Sequence, residues 1–142
     1  MTLHIKRRNI YLYKLQRKLW FFRKKLYQRF QKKATPVPVF IIGSGRSGTD
    51  IVAYCLSRSW DVELINEDNS KAFDNWRLKD LSVVRDVVAN SKACYVVLKP
   101  IVETLRAQSF LQELKSSRLI FVARNPYAAI KSQVRFFWGQ AD

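Results

Sequence analysis

The chain has 142 residues, a length that predicts one domain with a buried core and excludes a multidomain protein. Apolar residues make up 48% and aromatic residues 13%, with only four Gly and four Pro, so a disordered or collagen-like chain is excluded. The net charge of +15 is uneven, because twelve of the 26 basic residues and none of the 11 acidic ones lie in residues 1–36.

The N-terminal segment, residues 5–34, has the pattern of a basic amphipathic helix. Apolar residues recur at intervals of three and four, the spacing of one helix face. They are Leu12, Leu15, Leu19, Phe22, Leu26 and Phe30. Twelve lysines and arginines occupy half of the other positions, which is typical of a helix that lies on an anionic membrane or packs on a protein. Docking on the rest of the chain is equally compatible with the pattern, and nucleic-acid binding is disfavoured because no base-reading module accompanies it.

No membrane span or secretory signal is expected. The longest apolar run near the start, residues 19–22, is closed by Lys18 and Arg23, which is too short for either segment. The two cysteines, Cys55 and Cys94, lack the spacing of metal ligands. The sequence therefore predicts a cytoplasmic protein without bound metal, with membrane association through the basic helix left open.

Residues 37–142 are predicted to form one nucleotide-binding domain after a Pro-containing linker. A short apolar strand at residues 39–42 precedes a Gly-rich turn and a helix over residues 50–59. Further strands are expected at residues 62–65, 94–98 and 119–122, and further helices near residues 78–89, 101–115 and 126–137. Alternating strands and helices predict an α/β fold with three layers, a P-loop-like parallel sheet flanked by helices.

The Gly-rich turn has the composition of a phosphate-binding loop. Backbone N–H groups of such a turn and of the following helix N-terminus converge on an anion, and Arg46 adds a fixed charge. The predicted binding residues are Gly45, Arg46, Ser47, Gly48, Thr49 and Asp50. A purely structural turn is the alternative, but the strand, the arginine and the hydroxyls together favour the anion site.

Two other nucleotide-binding classes share parts of this loop. A nucleoside triphosphatase needs a lysine directly after the last glycine, where this chain has Thr49. The dinucleotide fingerprint GxGxxG is present at residues 43–48, and its acidic residue could be Glu63 or Glu67. The loop by itself leaves the dinucleotide alternative open.

A second motif follows the last predicted strand. Arg124 stands at the strand end, Pro126 at the first position of a helix and Ser132 nearly two turns along that helix. In a parallel sheet this strand end and the first loop open onto the same carboxyl edge. Two anion-binding groups at one edge suit a nucleotide that is phosphorylated at two positions.

Together, the motifs at residues 43–49 and 124–132 resemble the nucleotide-dependent sulfotransferases over about residues 38–137. The resemblance implies the donor 3′-phosphoadenosine 5′-phosphosulfate and transfer of its sulfuryl group to a hydroxyl or amine acceptor. It implies that the first loop holds the 5′-phosphosulfate and that Arg124 and Ser132 hold the 3′-phosphate. An arginine in the loop is closer to the carbohydrate and tyrosylprotein branch of the family.

Three residues are candidates for the transfer chemistry. Arg46 supplies positive charge near the leaving oxygen, or it acts only as a phosphate clamp. Glu67 is expected to be the general base, because it follows the first helix much as an acidic loop does in tyrosylprotein-type enzymes; the alternative is a solvated loop acid. Lys99 is expected to help hold the acceptor or sulfonate, the alternative being a surface lysine.

The sequence departs from the family in two ways. Asp50 stands where the family usually has a second Ser or Thr, and a carboxylate beside a phosphate is repulsive. Relatives also continue beyond the Ser-bearing helix, so the chain is expected to be C-terminally truncated. A remnant that binds nucleotide or a partner without catalysis is therefore the alternative to an active sulfotransferase.

Overall fold

A computed structural model describes residues 7–30 and 35–139, with side chains from residue 11 onward in the first helix. The chain divides into two compact units, Met1–Lys33 and Ala34–Asp142. The outermost residues of the predicted basic helix, 5, 6 and 31–34, and the last three residues of the chain lie outside the described ranges.

The strands and helices alternate through the second unit. The strands are β1 (Val37–Gly43), β2 (Val62–Ile65), β3 (Phe73–Asp74), β4 (Arg77–Leu78), β5 (Tyr95–Leu98) and β6 (Arg118–Val122). The helices are α1 (Arg7–Phe30), α2 (Thr49–Ser57), α3 (Leu81–Ala89), α4 (Ala107–Glu113) and α5 (Pro126–Phe137), and a 3₁₀ helix (Ile101–Arg106) precedes α4.

The first unit contains the single long helix α1. Its 24 residues include neither Gly nor Pro, and its apolar residues repeat at helical intervals. Among the described residues, no helix is both long enough and apolar enough to cross a membrane.

The second unit is built on a four-stranded parallel sheet in the order β2-β5-β1-β6. The central strand β1 is buried from Pro38 to Gly43, as expected for an apolar run that has neighbours on both sides and helices on both faces. Its Phe40 lies beside Leu98 of β5 and Leu119 of β6. The predicted α/β class with a parallel sheet is confirmed.

Two apolar clusters place helices on opposite faces of the sheet. On one face, Phe40 stacks on Phe110 of α4 with ring centroids 4.7 Å apart, in a cluster that also contains Val84 of α3. On the other face, Ile41 packs in a cluster with Ala53 of α2. The alternation of Phe40 and Ile41 between the two clusters follows from the two-residue period of a strand.

Two predicted elements differ from the structure. The sequence predicts a loop through residue 75 and a helix from residue 78. The structure has the β3–β4 hairpin in this region, and α3 begins only at Leu81. Asn75 and Trp76 turn the hairpin with φ of 46° and 67°, the backbone of a tight two-residue turn. The helix expected over residues 101–115 is divided into the 3₁₀ helix and α4, and Glu103 departs from helical geometry where it is buried.

Candidate functional site

The Gly-rich loop, residues 44–48, connects the central strand β1 to α2. The helix after β1 covers one face of the sheet, whereas the helices after the neighbouring strand β5 cover the other. Connections that leave adjacent parallel strands in opposite directions open a crevice at the carboxyl ends of those strands, the usual ligand position in open α/β sheets. The loop therefore borders the expected binding crevice.

Glycines at the two ends of the loop have separate structural reasons. A Cβ at Gly43 would lie 2.4 Å from the carbonyl oxygen of Val122 in the neighbouring strand, so no larger residue fits there. Gly48 precedes α2 with φ of 107°, a backbone conformation that disfavours side chains. Arg46 itself has φ of 62°, in the left-handed region.

Ser47 has a buried hydroxyl in the Gly-rich loop. Ser47 as a whole is 6% exposed, and its hydroxyl oxygen is buried without a hydrogen-bond partner among the described residues. A buried polar group that lacks a partner costs free energy. A bound anion would recover this free energy by accepting a hydrogen bond from the hydroxyl. Thr49, the first residue of α2, is also buried and adds a second hydroxyl at this helix N-terminus.

The second motif contacts the loop. Arg46 Nε donates to Ser132 Oγ at 3.3 Å, and Arg124 Nη1 donates to the carbonyl oxygen of Arg46 at 3.2 Å. The structure thus brings the side chains of Arg124 and Ser132 to the Gly-rich loop. Arg124 is exposed, and its guanidinium carries further N–H donors.

Two further residues of α5 touch the loop and were missed by the sequence analysis. Gln133 Nε2 donates to the carbonyl oxygen of Gly45 at 3.5 Å, and the guanidinium of Arg46 lies 4.8 Å from the ring centroid of Phe136. Helical spacing was a usable signal, because residues 132, 133 and 136 share one face of α5. On this face, Ser132 and Phe136 contact the Arg46 side chain, and Gln133 contacts the loop backbone.

An ion cluster lies at the end of β5, where Lys99 follows the strand. Its ammonium group pairs with the carboxylate of Asp50 and lies 3.5 Å from Glu67 Oε2. Glu67 Oε1 accepts the N–H of Ile101 at 3.1 Å. The side chains of Lys99 and Glu67 are each only 9% exposed, so the alternatives of a surface lysine and a solvated loop acid are wrong; the neighbouring Asp68 is the exposed acid.

Asp50 has an electrostatic explanation in this cluster. It stands in the first turn of α2, where the helix dipole favours a carboxylate, and the ammonium group of Lys99, which it shares with Glu67, offsets part of its charge. Its side chain is 76% exposed. The repulsion that the sequence predicts between this carboxylate and a bound phosphate is therefore reduced by the ammonium group beside it.

Thr104 fixes the start of the loop. Its hydroxyl accepts the N–H of Gly43 at 3.2 Å and lies 3.0 and 2.9 Å from the carbonyl oxygens of Gly43 and Ile101, to one of which it donates. This contact could not be predicted from the sequence, because it depends on the 3₁₀ geometry of a segment predicted to be a regular helix.

Within residues 7–30 and 35–139, no group of three or more His, Cys, Asp and Glu side chains is arranged to hold a metal ion. Comparison of the chain with protein-family models, with curated proteins and with solved structures finds no match. A functional assignment therefore depends on the chemistry of the loop and of the ion cluster.

Proposed function

We propose that the protein is a sulfotransferase that transfers a sulfuryl group from 3′-phosphoadenosine 5′-phosphosulfate to a hydroxyl or amine acceptor of the carbohydrate or protein-tyrosine class. One observation carries the proposal. Arg46 of the first motif and Ser132 of the second, 86 positions apart in the chain, are in hydrogen-bond contact, and the adjacent Ser47 has a buried hydroxyl without a partner among the described residues.

The residues present fit an anionic nucleotide. The loop N–H groups, Ser47, Thr49 and the charge of Arg46 would hold the 5′-phosphosulfate, and Arg124 with Ser132 would hold the 3′-phosphate. The buried oxygen of Ser47 has no hydrogen-bond partner among the described residues, which supports this assignment. A buried hydroxyl without a partner lowers the stability of the protein, and a bound anion would provide that partner.

The ion cluster would supply the acid–base chemistry. The bound donor presents an activated sulfuryl group, and an acceptor hydroxyl or amine must lose a proton to attack it. Glu67 would accept this proton on its carboxylate, while Lys99 and the N–H of Ile101 hold that carboxylate in place. Arg46 would balance the charge that develops on the leaving oxygen.

Sheet order argues against the dinucleotide alternative. In dinucleotide-binding folds the first two strands are neighbours, so that the acidic residue after the second strand reaches the ribose. Here β5 lies between β1 and β2. The side chain of Glu63, one of the two candidate acids, instead accepts a hydrogen bond from Ser91. The loop also lacks the lysine of nucleoside triphosphatases.

Transfer of radioactive sulfate tests the activity directly. The full chain is incubated with sulfur-labelled donor and, in separate reactions, a tyrosine peptide, an oligosaccharide and an amino sugar. We expect label in at least one acceptor, and much less label with Arg46→Met. Label transfer that is unaffected by Arg46→Met would contradict the assigned site, and no transfer to any of the three would contradict the proposed acceptor classes.

A further inference from the structure

One face of α1 exposes a continuous row of large apolar side chains. Its members recur at intervals of three and four residues, and each is between 45% and 80% exposed. We call this row the apolar stripe: Leu12, Leu15, Leu19, Phe22, Leu26 and Phe30. Exposed apolar surface of this extent marks a site of interaction.

Basic side chains border the apolar stripe. Lys14, Lys18, Lys25 and Arg29 are exposed and follow one another at helical intervals of four and seven residues, alongside the apolar stripe. Arg23, four residues after Leu19, lies on the other border. No acidic residue occurs in α1.

This distribution of charge favours an anionic lipid surface over a second copy of the chain or a nucleic acid. Pairing of two copies through the apolar stripe would bring like charges together along both borders with no carboxylate to compensate them. A nucleic acid would neutralise the charges but would leave the six apolar side chains in water. An anionic lipid surface satisfies both groups, because leucine and phenylalanine enter the acyl boundary while lysine and arginine meet the headgroups.

We infer that α1 lies in the plane of an anionic membrane surface with the apolar stripe inserted and its basic borders at the headgroups. A helix of 24 residues is about 36 Å long, and its frequent charges favour this in-plane position over a transmembrane one. The inference is independent of the proposed enzymatic function.

Sedimentation of the full chain with vesicles tests the inference. The two vesicle types are phosphatidylcholine alone and phosphatidylcholine with one third phosphatidylserine. We expect binding to the phosphatidylserine vesicles only, and weaker binding as salt is added, because ions screen the attraction. Lys18→Gln with Lys25→Gln should lower the affinity about fivefold for each charge removed.

A matched pair of variants tests the apolar stripe itself. Phe22→Ser removes a stripe residue that is 65% exposed, whereas Tyr13→Ser removes an aromatic ring that is 59% exposed on the opposite side of the helix, nine positions earlier. We expect Phe22→Ser to weaken vesicle binding at least tenfold and Tyr13→Ser to change it much less. Thermal unfolding of both variants checks that the fold is retained.

Three results would overturn the inference. One is an absence of sedimentation with phosphatidylserine vesicles, and another is equal loss of binding in the two serine variants. The third is a concentration-dependent dimer in analytical ultracentrifugation that Phe22→Ser dissolves, since the apolar stripe would then be covered by a second copy.

Discussion

Ser47 is the residue at which the proposed anion site would differ most from a structural turn. Its buried hydroxyl has no partner within the described residues, although the protein could have had alanine there. Alanine would remove the unsatisfied group and, with it, a donor for a bound anion. Under the proposed function, the serine lowers the stability of the free protein and raises its affinity for the anion.

Ser47→Ala should separate these two effects. We expect the free energy of unfolding to stay constant or rise by up to about 1 kcal/mol, and the affinity for adenosine 3′,5′-bisphosphate to fall by about 1.5–3 kcal/mol, the range for a hydrogen bond to a charged group. Thermal unfolding and calorimetric titration measure both. Ser44→Ala, at an exposed serine of the same loop, is the control. A destabilised variant with unchanged affinity would remove Ser47 from the binding site.

Arg124→Ala tests the assignment of the 3′-phosphate. Loss of its guanidinium should weaken binding of adenosine 3′,5′-bisphosphate by about 1.5–3 kcal/mol. Arg77→Ala, which removes one exposed arginine from the β3–β4 hairpin, controls for the change in net charge. Equal affinities of the Arg124→Ala variant and the unaltered protein in calorimetry would show that Arg124 only supports the loop through its bond to the Arg46 carbonyl.

Glu67→Gln tests the general base. Glutamine keeps an oxygen that accepts the N–H of Ile101 but cannot take a proton from the acceptor, so sulfuryl transfer should be abolished while bisphosphate binding is retained. Transfer rates and calorimetry measure the two properties. The adjacent Asp68 is exposed, so Asp68→Asn is a matched control, and we expect this variant to transfer the sulfuryl group at the rate of the unaltered protein. Full turnover by Glu67→Gln would exclude the carboxylate from the reaction.

The loop and its neighbouring strands form one structural element, in which β1, β6 and α5 are held together at Gly43 and Arg46. Gly43 allows β6 to approach because it lacks a Cβ, and Arg46 connects the loop to α5. The loop conformation therefore depends on contacts from distant parts of the chain.

Gly43→Ala and Gly45→Ala should differ sharply in stability. A methyl group at Gly43 meets the Val122 carbonyl at 2.4 Å, so β1 and β6 must separate, and we expect a loss of about 2 kcal/mol or more. At Gly45 the nearest atom is the flexible amide of Gln133 at 3.0 Å, so we expect a much smaller loss. Chemical denaturation measures both; equal losses would contradict the close contact between the two strands.

Sequence patterns were informative for elements with strong local signals. The apolar run of β1 and the helix that begins at Pro126 could be predicted, the latter because proline fits the first helical position and Asn125 caps the helix by accepting the N–H groups of Tyr127 and Ala128. The β3–β4 hairpin could not, since its strands have two residues each and Trp76 replaces the usual turn glycine.

The site was predictable to the extent that parallel-sheet geometry determines it. The proximity of Arg124 and Ser132 to the loop follows from the shared carboxyl edge, although their role in binding stays a prediction. The pairing of Lys99 with Asp50 and Glu67 could not be predicted, because it depends on how the loop after β2 packs against the end of β5.

Across the whole molecule, most of the net positive charge lies in the N-terminal segment. Residues 1–36 carry twelve basic residues, whereas the remainder carries fourteen basic and eleven acidic ones, a net charge of only +3. Within that remainder, two carboxylates pair with Lys99. The positive charges of Arg46 and Arg124 lie at the loop, where the proposed anion would bind. The N-terminal segment suits a charged surface and the loop a small anionic ligand.

We propose that the loop and the second motif form one nucleotide site. Calorimetric titration of the full chain with adenosine 3′,5′-bisphosphate is the sharpest test of this site, with ATP and Mg²⁺ as the comparison. We expect micromolar binding of the bisphosphate and much weaker binding of ATP. A folded protein that binds neither, or that prefers ATP with Mg²⁺, would contradict it.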